Sequence, residues 1–66
     1  MLNLNDTQKL ILNKIIEGKS NIDIAEDMGY SESFIKKQIR TLFKIFRVSK
    51  RVELVREALF SFYLNK

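Results

Sequence analysis

Apolar positions recur along this chain at helical spacing, in four groups separated by short polar or glycine-containing turns. Ile11, Leu12, Ile15 and Ile16 share one side of a helix. Asn5 stands before it as a cap with Gln8 three residues on, and Gly18 follows as a stop, so the pattern predicts a helix over 6–17. Ile24, Ala25 and Met28 form the stripe of a second helix over 21–28, opened by Ser20 with Asp23 at the third position. Gly29 should end it with a positive φ, and Tyr30 should seal the turn against the core.

Ser31 caps a third helix over 32–46, and Glu32 in its first turn suits the positive end of the helix dipole. At 100° per residue its side chains divide into two arcs of about 100° each. Ile35, Ile39, Leu42, Phe43 and Phe46 make one arc, and Lys36, Lys37, Arg40, Lys44 and Arg47 make the other. After a connection at Ser49 to Arg51, a fourth helix is expected over 52–64. Val55, Ala58, Leu59 and Phe62 are read as its buried stripe, with Val52, Phe60, Tyr63 and Leu64 beside it. The expected fold is all-α, four helices in a single domain spanning 1–66.

Composition narrows the chemistry. Sixty-six residues make a core that buries only about 60% of the unfolded surface, so stability rests on tight packing or on a partner subunit. The absence of Cys and His removes disulfides, the usual zinc ligands, the commonest general base and the thiol nucleophile. Asp23, Glu26 and Asp27 lie close in sequence, but repulsion on an exposed helix is the simpler reading of them. No catalytic residue, metal ligand or cofactor is therefore assigned, and the chain is not read as an enzyme. No apolar stretch approaches the roughly 20 residues of a membrane span, and the N-terminus lacks a signal-peptide pattern. A cytoplasmic location is expected.

Charge is distributed unevenly. Residues 1–29 carry a net −2 and residues 30–66 a net +6. A polyanion would meet the C-terminal half. A short apolar helix, a glycine turn and a second helix with one basic face are the parts of a helix-turn-helix, whose second helix enters the major groove of duplex DNA. Lys36, Lys37 and Arg40 are the candidate base readers, Arg40 foremost because its planar fork bonds in bidentate fashion. Ser20, Asn21, Ser31 and Ser33 at helix starts, with Lys44, Arg47, Lys50 and Arg51, are the candidate DNA-backbone contacts. For each serine and for Asn21, ordinary capping is the plainer reading. The surplus apolar surface of the fourth helix points to a homodimer. Val52, Val55, Arg56, Leu59, Phe60, Tyr63 and Leu64 form its candidate interface, with Leu54 at its edge. A two-fold dimer favours a pseudo-palindromic operator with half-sites about one helical turn apart.

The residues that carry this pattern resemble the LuxR-type, or GerE-type, helix-turn-helix domain. The matching pieces run from Leu4 to about Leu59 and include Ile11-Leu12, Glu17-Gly18, Ser20-Asn21, Asp23-Ile24-Ala25, Gly29, Ser31-Glu32, Ile35-Lys36, Leu42, Phe46, Val48, Arg51 and Glu53-Leu54-Val55. The resemblance implies a four-helix bacterial transcription regulator that binds DNA as a dimer, with dimer contacts on the fourth helix and base reading at Lys36, Lys37 and Arg40. A start at Met1 shortly before the first helix is read as a stand-alone member. The chain departs from the family pattern at Leu10, Gln38, Ile45 and Lys50; Leu10 and Ile45 put apolar groups where charge is usual. Two alternatives accompany this reading. One is a small protein-interaction module that antagonises a larger LuxR-type regulator through the fourth helix. The other is a promoter-binding module like region 4 of a sigma factor. RNA polymerase or another regulator is a further candidate partner, and no membrane partner is expected.

Overall fold

A computed structural model describes the chain from Leu4 to Leu64, with side chains described as far as Ser61. The described residues form four helices and no strand: α1 (Asp6–Ile16), α2 (Asn21–Met28), α3 (Glu32–Phe46) and α4 (Arg51–Leu64). The expected boundaries hold except at two ends. α1 stops one residue early, with Glu17 left as its C-terminal cap, and α4 starts one residue early, at Arg51.

Local chemistry sets each start. Asn5 and Gln8 form a reciprocal capping box: Asn5 Oδ1 accepts from the Gln8 N–H at 2.8 Å, and Gln8 Oε1 accepts from the Asn5 N–H at 3.0 Å. Ser20 Oγ accepts from the Asp23 N–H, and Ser31 Oγ accepts from the Phe34 N–H, each at 3.1 Å. α4 uses a different device. Its N-terminal flank is Lys50, and Glu53 reaches back so that one carboxylate oxygen accepts the N–H groups of Ser49 and Lys50, both at 3.2 Å.

The first three helices all end in the same left-handed turn, in which an N–H bonds a carbonyl five residues back. Lys19 donates to Lys14 O, Tyr30 to Ala25 O and Val48 to Phe43 O. Gly18 and Gly29 supply the positive φ of the first two, at 88° and 73°. Arg47 supplies the third at φ 56°, among the described residues the one non-glycine with positive φ.

The core is one cluster drawn from every helix: Ile11, Leu12 and Ile15 of α1, Ile24 and Ala25 of α2, Ile35, Ile39 and Leu42 of α3, and Leu54 and Ala58 of α4. Phe43 and Phe46 are half-buried against it, so the apolar arc of α3 faces inward as expected. Two expectations are corrected. Tyr30 does not seal the turn into the core; it is 42% exposed and packs on Phe34, with ring centroids 4.5 Å apart. On α4 the buried stripe runs through Leu54 and Ala58, both fully buried. Leu59 faces outward at 38% exposure, and Phe62 lies outside the described side chains. Leu54 therefore belongs to the core and not to an interface edge. Apolar residues surround this helix on nearly every side, so periodicity alone does not select the face that packs.

Candidate nucleic-acid interface

α2 and α3 pack on each other across the Gly29 turn, and this packing presents one side of α3 outward. Ser33, Lys36, Lys37 and Arg40, neighbours at intervals of three and four on the same helix, line a shallow open groove on that side. The three expected base readers and one of the four helix-start residues are thus brought together. Lys44 is also exposed, one turn further along the same helix, and so is Arg47, the left-handed residue that closes it. Lys36 rests 3.6 Å from the Glu32 carboxylate one turn earlier. Lys37, Arg40, Lys44 and Arg47 make no ion pair with any described residue. Lys37, Arg40 and Lys44 on one exposed face of α3, with Arg47 just past its end and no counter-ion among the described residues, form a surface that attracts phosphates.

Ser20, Asn21, Lys50 and Arg51 lie apart from this groove, where the start of α2 meets the start of α4. Arg51 and Asn21 are half-buried and bonded to each other, so neither is retained as a DNA-backbone contact. Arg51 Nη1 donates to Asn21 Oδ1 at 2.6 Å and Arg51 Nη2 donates to the Lys19 carbonyl at 2.7 Å. This bridge escaped sequence reasoning because its partners are 30 and 32 residues apart, and no local pattern reports such a pairing. Ser20 and Ser31 both cap their helices. Lys50 keeps an exposed side chain while its backbone N–H is held by Glu53.

Two carboxylates are perturbed. The Asp27 carboxyl is held below its usual range, first by the hydrogen bond from Lys14 at 3.4 Å, with Lys19 adding to it from 3.5 Å. The Glu53 carboxyl is also lowered, first by the N–H of Ser49 and then by that of Lys50. Among the described residues no group of three acidic side chains is placed to hold a metal ion, and Asp27 is occupied with its two lysines.

The outward side of α4 carries Val52 at 72% exposure, Phe60 at 59% and Leu59, with the exposed Arg56 between them. These residues recur at intervals of three and four, so they share a face. Val55 is half-buried against the core, and the expected interface positions Tyr63 and Leu64 lie outside the described side chains. Away from α4, Leu10 and Ile22 are exposed at 53% and 54%, and Ile45 is half-buried. Among the described residues no helix is long and apolar enough to cross a membrane.

No curated protein and no solved structure matches this chain. A family model does: that of the bacterial regulatory proteins of the luxR family, over residues 2–58. The match spans all of α1, α2 and α3 and α4 as far as Ala58, and so covers the whole two-helix unit that presents the basic groove. With four helices in this order and one exposed cationic face on the third, the chain belongs to the luxR family of bacterial regulatory proteins, as a helix-turn-helix DNA-binding domain.

Proposed function

We propose that the chain regulates transcription by binding specific double-stranded DNA as a homodimer in the cytoplasm, with α3 in the major groove of each half-site. The observation that carries this reading is the groove on α3 where Ser33, Lys36, Lys37 and Arg40 converge. A bidentate guanidinium matches guanine O6 and N7, so Arg40 reads a base, with Lys36 and Lys37 beside it. Lys44 and Arg47 neutralise phosphates further along, and Ser33 hydrogen-bonds one at the helix start. Lys50 adds attraction from the start of α4.

The dimer half of the proposal rests on Val52, Leu59 and Phe60. Three large apolar groups on one side of a short helix are an unfavourable surface for a monomer and a natural seam for a second copy. A two-fold axis through α4 asks for a pseudo-palindromic operator.

Sedimentation equilibrium of the chain, alone and with random-sequence duplex at low and moderate salt, tests both parts. A dimer whose DNA affinity falls steeply with salt supports the regulator. A chain indifferent to DNA at low salt replaces it with a protein-interaction module, and Leu10 and Ile22 become the first positions to probe for its partner.

A further inference from the structure

Among the described residues, α4 packs on α1 and α3 but not on α2. What spans the gap is the Arg51 fork, whose two short bonds reach the first residue of α2 and the carbonyl of the α1–α2 corner. Both acceptors are neutral oxygens, one the Asn21 side-chain amide at the first turn of α2 and the other the Lys19 backbone carbonyl. The fork therefore sets the approach of α4 to the start of α2 in two directions at once. Glu53 completes the joint from the other side by holding the N–H groups of Ser49 and Lys50, which lead into α4.

We infer that Arg51 is a positioning residue that fixes the angle between the dimer-forming helix and the DNA-docking pair, and so sets the half-site separation that the dimer accepts. The inference rests on the homodimeric DNA-binding function proposed above. In a two-fold dimer, a small rotation of α4 against α2 and α3 is doubled across the axis and displaces the two recognition helices relative to each other. Apolar packing holds α4 on α1 and α3, but among the described residues none of it lies between α4 and α2 to resist such a rotation at this end. Two charge-assisted hydrogen bonds of defined direction resist it strongly. A lysine in the same place would keep the charge but lose the fork, so charge and direction are separable at this position.

The experiment takes an operator half-site selected from random duplex by the full chain. Labelled duplexes then carry one copy of it, or two copies at centre-to-centre separations around the ~10 base pairs of one helical turn. Binding is followed by fluorescence anisotropy for the unmodified chain, Arg51→Lys and Asn21→Ala. For the unmodified chain one separation should dominate. In both variants the preference for that separation over neighbours about two base pairs away should shrink by roughly tenfold. Affinity for a single half-site should stay within about threefold, and the salt slope should not change. Should Arg51→Lys fail to melt cooperatively, Asn21→Ala, which removes one neutral acceptor, decides the matter.

An unchanged separation profile in the folded variants overturns the inference. So does a loss of equal size on the single half-site; that result would make the Arg51–Asn21 pair a DNA contact and not a joint. A folded unmodified chain that binds single half-sites but shows no preferred separation also overturns it, and leaves DNA binding standing. An unmodified chain that binds no duplex removes the regulator reading and this inference with it.

Discussion

Arg47 holds a conformation that glycine would hold at less cost. At φ 56° and ψ 47° it closes α3 with the same turn that Gly18 and Gly29 close for α1 and α2. A left-handed non-glycine residue costs about 1–2 kcal/mol. Arg47→Gly is therefore expected to stabilise the domain by about 0.5–1 kcal/mol, read by urea denaturation, while lowering affinity for every duplex alike. A loss of stability would mean that the arginine side chain does more for the fold than its exposed position indicates. Asp27 and Glu53 act at the same scale. Both carboxyls are lowered in the folded chain, Asp27 by the Lys14 hydrogen bond first and Glu53 by the Ser49 N–H first. A lowered carboxyl stabilises fully above the ordinary carboxylate range, and that contribution disappears as pH falls through the range towards the folded value. Melting temperature followed by circular dichroism should hold steady from about pH 7 to 5 and fall below about pH 4. Glu53→Gln should flatten the fall; an unaltered acid limb would show that its hydrogen bonds persist after protonation.

At the scale of elements, α4 separates two kinds of apolar residue. Leu54→Ala should cost about 2–5 kcal/mol, because the side chain is fully buried in the core. Val52→Ser should leave thermal stability at dilute concentration nearly unchanged and weaken self-association in sedimentation. If both substitutions acted on stability alone, the outward face would have no partner. The chain's pattern disclosed α1, α2 and α3 closely, for a physical reason: each has a side-chain cap and a one-sided apolar stripe, and α1 and α2 also have a glycine stop. Asn5, Ser20 and Ser31 mark three starts that any reader of the chain can find. α4 disclosed its existence but not its face. Leu54, Val55, Ala58, Leu59 and Phe60 surround it, and only packing against Ile11, Ile35 and their neighbours decides that Leu54 turns inward. The cationic groove was equally legible, because Lys36, Lys37 and Arg40 lie on one helix. The Arg51 bridge was not, since its donor and acceptors belong to different halves of the chain.

For the whole molecule, the division between base reading and phosphate attraction should appear as two kinds of salt behaviour. Arg40→Ala is expected to lower specific affinity by about 1–3 kcal/mol and relax sequence preference. Lys44→Ala should weaken binding to all sequences alike and reduce the slope of log affinity against log salt by about one. Anisotropy titrations over a salt series distinguish them, and identical behaviour of the two variants would remove the distinction. The arrangement of charge also bears on what happens before any contact forms. Asp23 and Glu26 are exposed on α2, while the free cations point outward from α3. A molecule built this way carries a permanent electric dipole. In the field of a polyanion it turns as it diffuses, so that encounters begin with α3 foremost and fewer collisions are wasted on the wrong side.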